Sequence, residues 1–158
     1  MDPFRDLDAP AIVFLFTRSD CPISNRYAPE VSRLHGQFSP HGVAFWLVYP
    51  DPAESGDSIA DHLSEYGYGF GALRDPQHAL VAMANVRVTP EAAVFVPAKP
   101  EFQMVYRGRI DDRFVAFGQR RPAPAVRDLE QVLEAVVRGQ PVSPRTTEAI
   151  GCFIADLK

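Results

Sequence analysis

Residues Ala11–Glu30 read AIVFLFTRSDCPISNRYAPE, and the rest of the chain is organised around them. The run Ala11–Phe16 is short, apolar and continuous rather than alternating. That pattern belongs to a strand buried on both faces of a sheet. Four polar residues, Thr17–Asp20, lead to Cys21, and Pro22 follows at a place where proline opens a helix. From Ser24 onward, Tyr27, Val31, Leu34 and Phe38 recur every three or four residues, which predicts one helix to about Phe38. Cys21 is therefore expected where a buried strand turns into a helix N-terminus. Unpaired N–H groups and the helix dipole favour an anion there, so a thiol at that corner is more acidic and more nucleophilic than a free one.

Outward from this corner, Val43–Tyr49 (VAFWLVY) is a second continuous apolar run and a second buried strand. Ser39–Gly42 ends the preceding helix. Asp57 or Ser58 is expected to cap a helix to about Tyr66, and Asp75 a helix over Pro76–Ala84. A short strand is expected at Phe70–Leu73, a longer one at Glu91–Val96, and an antiparallel partner for it at Phe102–Tyr106. Gly108–Arg121 reads as a polar loop, and Ala125–Arg138 as a last amphipathic helix closed by Gly139. The order predicts an α/β fold with a central mixed sheet and helices on both faces, its first two strands parallel. Residues 1–139 are read as one domain. Residues 140–158 are read as a C-terminal tail packing back on it.

At these residues the chain resembles the thioredoxin-like superfamily. A Cys follows the strand, and Pro29 lies eight residues later inside the helix. Within that superfamily, CPISNRYAPE is most similar to bacterial redoxin-domain proteins related to thiol peroxidases and thiol–disulfide oxidoreductases. Two departures matter. Thioredoxin carries a CxxC pair, whereas the second position here is Ser24. Peroxiredoxins carry Thr or Ser three residues before the reactive Cys and Pro seven before, where this chain has Arg18 and Phe14. The resemblance implies a thioredoxin-like fold with Cys21 as nucleophile. It also implies that Val88-Thr89-Pro90 is the cis-proline segment, whose proline faces the Cys and whose preceding residue pairs with substrate backbone. Pro22, Thr89 and Pro90 are thus the expected substrate-binding residues.

Because Ser24 cannot resolve a mixed disulfide, a second thiol is needed, and the other cysteine of the chain is Cys152. The last helix spans about 20 Å. A tail of about 12 extended steps from Gln140 reaches about 40 Å. Pro141 and Pro144 favour extension, and Gly151 permits close backbone approach. The tail can return to Cys21, so Cys152 is expected to pair with it on oxidation or between two chains. The alternative is that Cys152 packs as an apolar residue between Ile150 and Ile154, at a frayed terminus.

The remaining chemistry is sparse. His35, His41, His62 and His78 lack metal-ligand spacing and read as surface or capping residues. Arg107–Arg113 is a charged loop expected near Pro90; Asp111-Asp112 in it suggests a general base or metal ligand only weakly. No metal site and no cofactor are expected. The net charge of −4 argues against a nucleic-acid surface, although fourteen of the 16 Lys and Arg residues are Arg. No run approaches a membrane span. The start MDPFRDLDAP lacks an apolar signal core, which suggests a cytoplasmic protein or an exported domain cut from its leader. The expected partners are a protein or small-molecule disulfide, or a peroxide, together with an external thiol reductant. Three functions fit: a thiol–disulfide oxidoreductase with Cys21 as nucleophile and Cys152 resolving, a thiol peroxidase, or a non-catalytic module that keeps the fold for protein contacts.

Overall fold

The computed structural model describes residues 2–5 and 8–155. Met1, Asp6, Leu7 and residues 156–158, in the predicted lead-in and tail, lie outside the described residues. In chain order the elements are β1 (Ile12–Phe16), α1 (Pro22–Arg26), α2 (Ala28–Phe38), β2 (Ala44–Tyr49), α3 (Gly56–Glu65), β3 (Ala72–Arg74), α4 (Ala79–Ala84), β4 (Val88–Thr89), β5 (Glu91–Ala98), β6 (Glu101–Gly108), β7 (Phe114–Ala116), β8 (Gln119–Arg120), α5 (Asp128–Val137), β9 (Arg145–Thr146) and β10 (Cys152–Phe153).

Six strands form the main sheet in the order β3-β2-β1-β5-β6-β9. β1 pairs with β2 in parallel, β2 with β3 in parallel, and β1 with β5 antiparallel. β1 is central and every residue of it is buried. Its alternate side chains divide the core. Val13 and Leu15 join one apolar cluster with Val31, Leu34, Leu129 and Leu133, while Ile12, Phe14 and Phe16 join another with Val81, Ala84 and Val86. Period-2 alternation on a strand covered on both sides produces this split. Helices α2 and α5 cover one face and α4 the other. This is the thioredoxin-like fold.

Several boundaries differ from the sequence reading for local reasons. The single expected helix breaks into α1 and α2. The Tyr27 N–H closes onto Ser24 O at 3.1 Å in a tighter turn, and Pro29 has no N–H to offer the residue four before it. Helix α3 is capped by Ser55, not Asp57 or Ser58; Ser55 and Ser58 form a reciprocal capping box. Helix α4 begins at Ala79, later than expected, because His78 adopts a left-handed conformation; Asp75 still caps it remotely, accepting from Val81 N at 2.9 Å. The short third strand falls at Ala72–Arg74, and α5 starts at Asp128. Gly108–Arg121 is not only loop, since it contains the β7–β8 hairpin.

Candidate active site

β1 delivers the corner residues, and the neighbouring β2 fixes the first of them: Thr17 N–H donates to Val48 O at 2.8 Å. Arg18 binds the Asp20 carboxylate at 2.6 Å and lies 3.5 Å from Asp51. That hydrogen bond holds the Asp20 carboxyl below its ordinary range. The exposed Asp20 charge is thereby committed to Arg18. Ser19 N–H points at the buried Glu54 carboxylate, 3.3 and 3.4 Å from its two oxygens.

A second set of bonds reaches the corner from below, and the sequence reading missed it. Asn25 donates through Nδ2 to Ser19 O at 2.9 Å and accepts through Oδ1 from His62 Nε2 at 2.7 Å. Oδ1 is an acceptor only, so Nε2 carries the proton. The neutral ring then accepts at Nδ1 from the Tyr49 hydroxyl, 2.6 Å away. His62 is 3% exposed, so it is neither a surface nor a capping residue as the sequence suggested. Burial pushes its pKa down. The available signal was Asn25, one helical turn past Cys21, but its partner lies 37 positions away.

Cys21 caps α1 and is 1% exposed. A disulfide joins it to Cys152, with the Cα atoms 6.2 Å apart, inside the range that permits a bridge. Because α1 is only five residues long, it offers less dipole than the single long helix expected. The Cys21 sulfur also lies 3.3 Å from Thr89 O. Two hydroxyls complete the surroundings: Ser24 Oγ, at the third position of α1, and Thr89 Oγ1 are buried with no hydrogen-bond partner among the described residues.

The opposite wall is β4. Its peptide into β5, Thr89–Pro90, is cis. Glu91 anchors this segment, accepting from Arg87 N at 3.1 Å and Val88 N at 3.4 Å while paired with Arg107 at 3.0 Å. The charged loop after β6 does lie close by, but its carboxylates are structural. Asp111 accepts from the Tyr27 hydroxyl at 2.7 Å and from Arg113 N at 2.9 Å. Asp112 accepts from Ala125 N and Val126 N at 2.7 and 2.9 Å. Among the described residues no group of His, Cys, Asp and Glu has the arrangement of a metal site.

The tail arrives through a series of fitted contacts. β9 pairs in parallel with the end of β6, and Thr147 Oγ1 accepts from Arg109 N at 3.0 Å. Gly108 leaves room there, because a Cβ on it would strike Thr147. β10 then pairs antiparallel with β4, Cys152 opposite Thr89 and Phe153 opposite Val88. Of the five residues singled out from sequence, the fold therefore brings Cys21, Thr89 and Cys152 together. Pro90 follows Thr89 and is buried, while Pro22 is exposed beside Cys21. Among the described residues no helix is long and apolar enough to cross a membrane.

The comparisons with known proteins agree with this fold. No curated protein matches the chain. Among solved structures, a hypothetical protein of Sinorhizobium meliloti 1021 is 24% identical, with TM-score 0.78 over 94% of this chain and 80% of that one. An uncharacterized conserved protein of Geobacillus kaustophilus is 26% identical, with TM-score 0.76 over 91% of this chain and 76% of that one. A secreted disulfide oxidoreductase of Mycobacterium tuberculosis shares the fold at 19% identity and TM-score 0.52, over 82% of this chain and 81% of that one. The AhpC/TSA family profile matches residues 4–108, from the start of the core through β6. That match, which spans β1, the Cys21 corner, the Thr89–Pro90 peptide and the strands as far as β6, identifies the chain as a member of the AhpC/TSA family, with a thioredoxin-like redoxin domain.

Proposed function

We propose that this protein is a thiol–disulfide oxidoreductase in which Cys21 is the nucleophile and Cys152 the resolving thiol. The observation that carries the reading is the Cys21–Cys152 disulfide, formed by a tail strand paired with Thr89. The reduced Cys21 thiolate attacks one sulfur of a substrate disulfide, forms a mixed disulfide and releases the other half as a thiolate. Cys152 then attacks the Cys21 sulfur, frees the remaining half and closes the internal bridge. An external dithiol reopens that bridge and restores the enzyme. Pro22, Thr89 and Pro90 line the approach, and residues 140–158 act as a tail serving the domain formed by residues 1–139.

Peroxide chemistry has less support. The peroxiredoxin positions for Thr or Ser and for Pro are Arg18, tied to Asp20, and Phe14, buried in the core. Insulin-disulfide reduction and peroxide consumption, each assayed on wild type, Cys21→Ser and Cys152→Ser, test the reading. Disulfide reduction is expected to vanish in Cys21→Ser. In Cys152→Ser it is expected to stop at one mixed disulfide per chain. Peroxide consumption that depends on Cys21, without disulfide reduction, would make the protein a peroxidase. Neither activity in the wild type would make it a binding module.

A further inference from the structure

The tail strand is itself a cysteine-bearing peptide seated on the candidate site, and its contacts describe what the seat accepts. Directly before Cys152, Gly151 lies against the Thr89–Pro90 peptide, where a Cβ would run into the Thr89 carbonyl. Directly after it, Phe153 is 81% exposed and so unconstrained. Two residues after it, Ile154 is 5% exposed and belongs to the apolar cluster on the α4 face of the sheet. Its N–H donates to Arg87 O at 3.1 Å, extending the backbone pairing past Thr89 and Val88. Four consecutive residues are thus selected for being small, for carrying sulfur, for nothing, and for branched apolar bulk.

We infer that the substrate of this site is an extended polypeptide segment with glycine immediately before its disulfide-bonded cysteine and a branched aliphatic residue two positions after it. The inference rests on the oxidoreductase reading and adds its substrate class. In the reduced protein such a segment pairs along Val88–Thr89 in place of the tail. The Cys21 thiolate attacks the segment's cysteine sulfur, the Cys21–segment disulfide forms, and the segment's former partner leaves as a thiolate. The returning tail competes for the same edge, so Cys152 attacks Cys21 and expels the segment as a thiolate while taking its place. A peroxide or a small disulfide offers neither the backbone pairing nor the apolar anchor. Tethering holds the tail at a high effective concentration, which limits free access to segments that match the seat.

The test uses the Cys152→Ser protein and the synthetic peptide Ala-Ile-Gly-Cys-Phe-Ile-Ala, its cysteine carrying a 5-thio-2-nitrobenzoate leaving group whose release is followed by colour. Replacing the glycine by valine, or the second isoleucine by aspartate, is expected to slow the reaction by roughly tenfold or more, from the clash and the lost apolar burial. Replacing the phenylalanine by serine is expected to leave the rate within about twofold. Adding Ile154→Asp to Cys152→Ser removes the tail's own anchor and is expected to speed the parent peptide by roughly threefold or more, through weaker tethered competition. Equal rates for all four peptides, or no effect of Ile154→Asp, would overturn the inference and leave the oxidoreductase reading standing. Failure of Cys21 to react even with free dithiobis-nitrobenzoate would remove the nucleophile, and both readings with it.

Discussion

Cys21 stands on a corner that the core holds from several sides, whereas Cys152 rides on a two-residue strand held by a few backbone bonds, one glycine contact, the buried Ile154 and the half-buried Ile150. Behind Cys21 lies β1, buried along its whole length; beneath it runs the Asn25–His62–Tyr49 chain, and Glu54 faces Ser19. Beyond Thr147 the tail contributes Ile150 and Cys152, half-buried against the α2 and α5 cluster, the close fit of Gly151, and the buried Ile154. In the proposed exchange cycle the difference separates the tasks of the two thiols. One is kept in position as part of the sheet. The other would have to leave its seat whenever substrate occupies Cys21 and then come back. In that cycle, stability invested in the corner preserves geometry, and stability invested in the tail would block turnover.

The comparison is most sharply tested by deleting volume on the corner's side. Leu15→Ala, on β1, is expected to destabilise oxidised and reduced protein alike by about 2–5 kcal/mol in denaturant titrations. A loss confined to the oxidised protein would mean that the corner depends on the tail. Next in size, Gly151→Val is expected to leave the reduced protein's stability nearly unchanged while slowing closure of the internal disulfide by roughly tenfold, because overpacking against Thr89 costs about 1–3 kcal/mol. Quenched alkylation after diamide addition measures that rate, and an unchanged rate would mean that the tail closes without the observed pairing.

A smaller effect is expected from pH. Burial lowers the His62 pKa below its ordinary value of 6.5, so the unfolded chain binds the proton more readily than the folded one. Stability is accordingly lost as pH falls through the ordinary value toward the lowered one, and is fully present above it. Denaturant midpoints measured between about pH 7 and about pH 5 are expected to fall more steeply in wild type than in His62→Gln. Equal slopes would show that His62 does not titrate with folding. The smallest expected change is at Ser24. Its side chain sits at the third helical position, from which a side chain can reach back toward the cap residue, and its hydroxyl has no hydrogen-bond partner among the described residues. Ser24→Ala is expected to slow alkylation of reduced Cys21 at neutral pH by about threefold, as a donor to the thiolate is removed. No change would leave Ser24 a packing residue.

Much of the corner is local, and for that reason it is legible in the sequence. A continuous apolar run, a polar turn, Cys21 and Pro22 follow one another within a dozen residues, and steric and solvation rules act at that range. The same holds for the apolar faces of α2 and α5 and for the parallel pairing of β1 with β2. Chain length and the two prolines of the tail allow Cys152 to reach Cys21, but they equally allow a frayed end. Only the folded sheet decides between these, by offering the open edge of β4 and a gap at Thr89 that Gly151 alone fills without a Cβ. Likewise, nothing near His62 in the sequence points to Asn25 and Tyr49. A histidine on a helix reads as exposed until packing removes its water, after which both ring nitrogens need partners. The place of Cys21 was written in short-range pattern. The identity of its neighbours was decided by contacts between residues far apart in the chain, because burial and backbone pairing exist only once the tertiary structure has formed.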